Sequence, residues 1–173
     1  MTLRSQLDAF CVVGAVLLLS ACAATSHVST DLGKAGRPSL PASISVQPCV
    51  DRTGTHIADL GRLATEAFIE KLDSLPEFVV RADGDYELVC EVTGFLPGNA
   101  VKRWIMPGWG ATVGKVSAMV QDALSKHVLV IVEGDARVGE GGLYTIGAWQ
   151  EIVPSAVKAT VSQLQKWARG EDL

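Results

Sequence analysis

Residues 86–95 read YELVCEVTGF, and this stretch decides the fold that the sequence predicts. Apolar side chains alternate with polar ones along it, which indicates a strand with one buried and one solvated face. Residues 115–121 alternate in the same way, and the apolar run HVLVIVE at 127–133 indicates a central strand buried on both faces. These three strands follow one another through a long loop at Leu96–Gly114 and a turn at Asp122–Lys126. Their succession favours an antiparallel meander.

Two shorter segments upstream also have strand character. Ser43–Gln47 alternates and is stopped by Pro48, and Phe78–Arg81 is a short apolar run. After the second segment comes Asp83-Gly84, a dipeptide that is favoured in hairpin turns. Together with the meander, these segments predict a mostly antiparallel sheet of about five strands.

Two amphipathic helices accompany the predicted strands. The first covers about Ile57–Ser74, and the second starts near Pro154 and ends at Gly170. Their apolar faces consist of Ile57, Leu60, Leu63, Ala64, Ala67, Phe68 and Leu72 in the first helix, and of Val153, Val157, Val161, Leu164 and Ala168, with Trp167 nearby, in the second. The predicted fold class is therefore α+β, a two-layer sandwich in which both helices cover one face of the sheet.

The N-terminus has the pattern of an export signal that ends in a lipid-anchored cysteine. Phe10–Leu19 reads FCVVGAVLLL, which suits a signal peptide and is too short for the ~20 residues that span a bilayer. It leads into Leu19-Ser20-Ala21-Cys22, which resembles a bacterial lipobox. We predict that residues 1–21 are a lipoprotein signal peptide, cleaved between Ala21 and Cys22. Cys22 would then carry a diacylglyceryl group on its thiol, often with a further chain, such as palmitate, on its amine. The alternatives are an ordinary secretory signal cleaved after Ala23 or Ala24, and an uncleaved anchor.

The next segment, Ala23–Ala42, reads as a flexible tether because it is rich in Ser, Thr, Gly and Pro and has no apolar period. Residues 22–42 are therefore predicted to be the lipid anchor and tether, and residues 43–173 the periplasmic α+β domain. By analogy with sorting in Gram-negative lipoproteins, a residue other than Asp after the anchor cysteine points to the outer membrane. Ala23 meets that condition, so we expect a domain anchored in the outer membrane and facing the periplasm, with the inner membrane as the alternative.

Composition and motifs point away from nucleic acid, metal and cofactor. The net charge of −4 provides no general basic field for nucleic acid. Gly108–Val116 reads GWGATVGKV and imitates a phosphate loop, but the first glycine and the Ser/Thr after the lysine are missing. The three histidines are scattered and no serine stands in a G-x-S-x-G context. We predict no catalytic residues, no metal and no cofactor, and hence no enzyme.

Two cysteines, Cys49 and Cys90, remain in the predicted domain, where an oxidising periplasm would allow them to pair. Strand parity argues against a bond. Cys90 shares the apolar face of its strand, whereas Cys49 has the parity of the polar face of the first strand. Pro48 can reset that register, so the sequence leaves two states open: a disulfide, or two small and partly buried thiols.

The segment between Thr93 and Asp122 resembles the DUF4410 family, whose members are small bacterial lipoproteins of unassigned activity. The resemblance is carried by TGFLPGNAVKR at 93–103, by Gly108-Trp109-Gly110, and by a strand that ends in Gln121-Asp122. It extends over roughly Ser43–Leu164 and implies a role in binding or assembly, with no known ligand. The turn at Ala123–Lys126 departs from the Thr-Gly or similar turn that is usual in the family, so its geometry is not implied.

The loop of this motif is the second candidate for function, after Cys22. Glycines in it permit backbone conformations closed to other residues, and its asparagine can cap a turn. Basic and large apolar residues lie together in it, as interfaces favour. The predicted partner-contact loop consists of Gly98, Asn99, Arg103, Trp104, Trp109 and Gly110. Two other interpretations are contact with a membrane surface, which suits Trp, and a fold in which both tryptophans lie back over the sheet edge.

The leading functional prediction is a non-catalytic envelope lipoprotein. Its periplasmic domain, tethered to the outer membrane, would bind an envelope protein of unknown identity. The alternative is a structural, self-assembling subunit of a secretion or envelope complex. A third class, an envelope enzyme, has no residue set to support it.

Overall fold

The computed structural model describes residues 23–28, 36–56, 59–106, 109–138 and 148–171. The predicted signal peptide and Cys22 lie outside these residues. Within them, no helix is both long enough and apolar enough to cross a membrane.

The described strands form one seven-stranded sheet. They are β1 (Ala23–Val28), β2 (Ala42–Val46), β3 (Val50–Asp51), β4 (Phe78–Val80), β5 (Tyr86–Leu96), β6 (Thr112–Asp122) and β7 (Val128–Val138). Their order across the sheet is β1-β7-β6-β5-β2-β4, and β3 pairs with β5 off this path.

β5, β6 and β7 form the predicted antiparallel meander, which is confirmed. Cys90 lies opposite Ala118, and Ala118 lies opposite Val132. Side chains in one cross-strand row point to the same face of a sheet, and all three of these are buried. That face is the one covered by helices.

The other half of the sheet is parallel, which corrects the prediction of a mostly antiparallel sheet of about five strands. β2 pairs in parallel with both β4 and β5, and β3 pairs in parallel with β5. A helix follows β2 and returns the chain to the end of the sheet where β2 began, so the next strand runs in the same direction. The sheet is therefore mixed.

The hairpin predicted at Asp83-Gly84 is wrong, because β2 lies between the two strands that it would join. Gly84 is instead buried against the backbone of β2. A Cβ added there would lie 2.5 Å from the backbone nitrogen of Ser45. The glycine allows two backbone segments to approach closely and is not part of a tight hairpin turn.

Two helices, α1 (Leu60–Asp73) and α3 (Ala148–Arg169), pack on one face of the sheet, as predicted. α1 begins after its N-cap Asp59, whose side chain accepts a hydrogen bond from the backbone N–H of Arg62 at 3.0 Å. α3 ends at Arg169 and is followed by Gly170, which has a φ of +76°.

The prediction that the last helix starts near Pro154 is wrong, because Pro154 lies inside α3. Proline removes only one helical hydrogen bond. The adjacent Ile152 and Val153 are fully buried, so packing holds the first turns of α3 against the sheet.

The apolar faces predicted for the two helices lie in the core, apart from Ile57, which falls outside the described residues. The buried members are Leu60, Ala64, Ala67, Phe68 and Leu72 in α1, and Val153, Val157, Val161, Leu164, Trp167 and Ala168 in α3. Leu63 is partly buried against the same core. Helical periodicity was sufficient to identify these faces.

Residues 23–28 lie in the segment predicted as a flexible tether, yet they form the edge strand β1. Ala23 pairs opposite Arg137 and Val28 opposite Val132, antiparallel to β7. The prediction of a coil is wrong for these six residues. The edge of a sheet offers unpaired N–H and C=O groups to any extended segment, whatever the side-chain pattern of that segment.

The turn between β6 and β7 is organised by Asp122. Its carboxylate accepts hydrogen bonds from the backbone N–H of Ser125 at 2.7 Å, the hydroxyl of Ser125 at 2.8 Å and the backbone N–H of Leu124 at 3.1 Å. These bonds, the one from the Ser125 backbone first, hold the pKa of Asp122 below its ordinary value. The turn that departs from the DUF4410 pattern thus closes on its own aspartate.

Candidate functional site

A disulfide bond joins Cys49, just before β3, to Cys90 in β5. Val46 lies opposite Leu88 and Val50 lies opposite Glu91, so four residue steps on one side match three on the other. This extra residue resets the parity at Cys49 and brings it into the core that holds Cys90. The parity argument against the bond is wrong for that reason.

The connection between β5 and β6 differs from the long loop predicted at Leu96–Gly114. β5 ends at Leu96 and β6 already begins at Thr112. Between them lies a short helix, α2 (Ala100–Ile105), which the sequence analysis did not predict. The connection thus has regular structure of its own.

Hydrogen bonds close the base of this connection. Asn99 is the N-cap of α2, and its side-chain oxygen accepts a hydrogen bond from the backbone N–H of Lys102 at 3.0 Å. The backbone N–H of Asn99 donates to the carbonyl of Gly110 at 2.8 Å. The Thr112 hydroxyl donates to the carbonyl of Pro97 at 3.1 Å. The two arms of the connection are therefore held together below α2.

Two of the predicted loop glycines adopt left-handed backbone conformations. Gly98 has a φ of +69° and Gly110 a φ of +67°. A Cβ at Gly110 would also lie 2.7 Å from the carbonyl oxygen of Asn99. Gly110 therefore meets two requirements that only glycine satisfies. Asn99 itself is extended and acts as a helix cap.

The connection exposes a cluster of large apolar side chains, which we name the apolar end. Its members are Leu96, Val101, Ile105, Met106 and Trp109. Ile105 is 67% exposed and Trp109 is 59% exposed. The other exposed large apolar side chains of the described residues are Leu40, Val50, Ile69 and Leu124. Four of the five members of the apolar end lie in this connection, and Leu96 directly precedes it. A concentration of exposed apolar side chains of this kind is typical of a contact surface.

The charge of this region is opposite to that of the whole chain. No Asp or Glu occurs from Val92 to Gln121, whereas Lys102, Arg103 and Lys115 do. Lys102 and Lys115 are exposed. The stretch of sequence that carries the apolar end is therefore basic, in a protein whose net charge is −4.

The structure describes the side chains of only some of the predicted site residues. Trp109 is exposed beside α2, and Arg103 and Trp104 belong to α2, but their side chains lie outside what the structure describes. Ala21 and Cys22 also lie outside the described residues. Sequence reasoning missed Leu96 and Val101. The absence of acidic residues over this stretch is the signal that could have drawn attention to them.

Ionisable groups elsewhere form structural contacts. The Glu77 carboxylate accepts hydrogen bonds from Arg169 at 2.6 Å and from Gln165 at 3.1 Å. Burial of Glu77 opposes its ionisation, but these hydrogen bonds outweigh burial and lower its pKa. A shallow groove between α1 and α3 contains the ion pair of Arg62 with Glu66, at 2.7 Å. The described residues contain no group of three His, Cys, Asp or Glu side chains that could hold a metal ion.

Neither a family model nor a curated protein matches this sequence. The resemblance to the DUF4410 family is therefore not confirmed by a family model.

Solved structures share the fold of this chain. The PelC dodecamer of Paraburkholderia phytofirmans matches with a TM-score of 0.54 and 14% identity, over 79% of this chain and 97% of PelC. A hypothetical protein from Chlamydia trachomatis has a TM-score of 0.52 and 10% identity, over 74% and 98% of the two chains. A DUF330 protein from Xanthomonas campestris has a TM-score of 0.50 and 12% identity, over 75% and 85%. At these identities the likeness establishes the fold alone, so function has to be argued from the residues of this chain.

Proposed function

We propose that this chain is a non-catalytic lipoprotein of the bacterial envelope, of the DUF4410 type. Acylated Cys22 anchors it to the outer membrane, and its α+β domain is an accessory domain that binds an envelope protein in the periplasm. The observation that carries the proposal is the disulfide between Cys49 and Cys90. Such bonds persist in oxidising compartments, which is where a lipobox would send the chain.

The polar groups of the domain support a role other than catalysis. Glu77 with Arg169, Glu87 with Lys126, and Asp122 within its turn each stabilise the fold. Within the described part of the chain, these contacts leave open the apolar end and the face of the sheet opposite α1 and α3.

The uncovered face of the sheet is suited to a protein partner. Val89, Met119 and Ile131 lie in one cross-strand row and are all partly exposed. Cross-strand rows of this kind form flat apolar strips that a second protein can cover. We therefore assign the envelope partner to this face.

The anchor is tested by metabolic labelling with palmitate. Wild type and Cys11→Ala, a control that removes the other cysteine of the leader, should both incorporate label. Cys22→Ala should incorporate none. Retention of label by Cys22→Ala would contradict the proposal, and so would absence of label from wild type.

The uncovered face also favours a second candidate function, a self-assembling subunit, since a second copy of this chain could cover the same strip. PelC, which has a similar fold, forms a dodecamer. Light scattering on the detergent-solubilised chain distinguishes the two. The leading proposal predicts a monomer at all concentrations, together with in-cell crosslinks from Met119 to another protein. An oligomer whose mass falls in Met119→Glu, but not in the exposed control Leu124→Glu, would favour self-assembly.

A further inference from the structure

One end of the sheet brings together the start of the domain and the apolar end. Ala23 of β1 lies opposite Arg137 of β7, Arg137 lies opposite Val113 of β6, and Val113 lies opposite Leu96 of β5. These four residues form a single row across four strands. The connection that contains α2 begins directly beyond Leu96, at the same end of the sheet.

The spacing between strands in this row sets the distance between Ala23 and the apolar end. Neighbouring strands are about 4.8 Å apart, so three steps from β1 to β5 correspond to about 14 Å. Cys22 precedes Ala23 in the chain, and consecutive Cα atoms are about 3.8 Å apart. β1 runs from Ala23 at this end towards Val28, away from it. The chain therefore enters the domain on the side that carries the apolar end.

We propose that the apolar end docks on the lipid surface in which the acyl chains of Cys22 are embedded. The inference rests on the proposed function, because it requires Cys22 to be acylated. Two or more acyl chains hold the start of β1 at the membrane. A surface about 14 Å away at the same end of the sheet is then held within reach of that membrane.

The chemistry of the apolar end fits a phospholipid surface containing anionic headgroups. Trp109 has the amphipathic ring that is enriched at membrane interfaces. Ile105 and Val101 are apolar side chains that can enter the boundary between headgroups and acyl chains. Lys102 adds a positive charge among them, and the stretch 92–121 has no acidic residue that anionic lipid would repel.

Hydrogen bonds hold the base of the connection that carries these side chains. The capped helix and the hydrogen bonds from Asn99 to Gly110 and from Thr112 to Pro97 tie the connection to the sheet. A tied connection loses little conformational freedom when it meets a surface, which favours docking. The domain would then be oriented with its strands pointing away from the membrane.

The experiment uses a single reporter cysteine in the full-length lipoprotein. All native cysteines of the mature chain are occupied, since Cys22 is acylated and Cys49 is bonded to Cys90. Ile105→Cys puts the reporter at the apolar end, and Leu124→Cys, in the β6–β7 turn at the opposite end of the sheet, is the matched control. Each purified lipoprotein is labelled with an environment-sensitive fluorophore. It is then reconstituted into vesicles of about three parts phosphatidylethanolamine to one part phosphatidylglycerol, with or without brominated acyl chains.

The emission of the label at position 105 should shift to the blue in vesicles. In brominated vesicles this label should also lose most of its fluorescence. The label at position 124 should keep its water-exposed spectrum. If both proteins float with the vesicles and neither label is quenched, membrane docking is wrong while the anchor stands. Crosslinks in cells from position 105 to a protein, without quenching on protein-free vesicles, would assign the apolar end to a protein partner and would also overturn the inference. Failure of both proteins to float would overturn the anchor, and the docking with it.

Discussion

The two connections of the β5–β6–β7 meander lie at opposite ends of the sheet and differ in almost every property. The β6–β7 turn is short and polar, and Asp122 closes it with three hydrogen bonds. The β5–β6 connection carries α2 and four exposed large apolar side chains, and a fifth, Leu96, ends β5 directly before it. Its own stretch of sequence contains no acidic residue.

This difference favours a role for the β5–β6 connection beyond reversing the chain. A reversal needs only a few residues and one capping side chain, as the β6–β7 turn demonstrates. Exposed Ile105 and Trp109 contribute little to the core, because their surface stays in contact with water. Their placement is better explained by a contact that forms outside the isolated domain.

The largest effect is expected from the disulfide, which lies in the body of the sheet between the two ends. Replacing Cys49 and Cys90 by serine should lower the free energy of unfolding by about 4 kcal/mol, since the bond closes a loop with a sequence separation of 41. Urea unfolding of the double variant and of wild type measures this loss. Reductant should destabilise wild type and leave the variant unchanged. Free thiols that react with an alkylating agent in unreduced wild type would contradict the bond.

A smaller effect is expected when the backbone of the apolar end is strained. Gly110→Ala should destabilise the protein by about 1–3 kcal/mol, because it combines a positive φ with a close contact to Asn99. Gly54→Ala is the matched control, since Gly54 has a φ of +68° and nothing within 4 Å of the added Cβ. It should cost about 1 kcal/mol. Equal losses in thermal or urea unfolding would show that the contact with Asn99 contributes nothing.

The contribution of the β6–β7 turn to the free energy of unfolding should depend on pH. The folded-state pKa of Asp122 is lowered, so its ionised form stabilises the fold above the unfolded-state pKa, and this stabilisation is lost as pH falls through the folded-state value. Asp122→Asn should therefore be less stable than wild type near neutral pH. The difference should vanish in acid, where both side chains are uncharged. Urea midpoints measured across this range test the prediction, and a difference that does not change with pH would contradict it.

The smallest effect is expected from exposed side chains at either end. Ile105→Lys and Leu124→Lys should each change the free energy of unfolding by less than about 0.5 kcal/mol, because neither side chain is part of the core. Urea unfolding should thus give nearly the same result for both. A loss well above this for Ile105→Lys would mean that the apolar end is packed into the fold and is not available for contact.

Local patterns in the sequence were enough to predict the elements that depend on neighbouring residues. Alternation in YELVCEVTGF and helical spacing from Leu60 to Leu72 identified the meander and the buried face of α1. Local patterns did not predict how distant segments pair with one another. The parallel pairing of β2 with β5 and the edge pairing of β1 depend on backbone groups, which carry no side-chain signature.

Local sequence patterns were also insufficient to predict the disulfide and the full extent of the apolar end. Parity along a strand predicted that Cys49 would face away from Cys90, and one extra residue between Val46 and Val50 reversed that result. The cluster around Trp109 was visible in the composition of its loop. Its extent, with Leu96 and Val101 included, depended on α2 and on the end of β5.

Thiol accessibility measures the orientation of the domain on the membrane directly. Full-length lipoprotein with Ile105→Cys or Leu124→Cys is reconstituted into vesicles and treated with a membrane-impermeant maleimide, and the same proteins are treated in detergent. If the apolar end docks on lipid, cysteine at position 105 reacts much more slowly in vesicles than in detergent, whereas cysteine at position 124 reacts at the same rate in both. Equal rates in vesicles and detergent at position 105 would contradict the proposed docking.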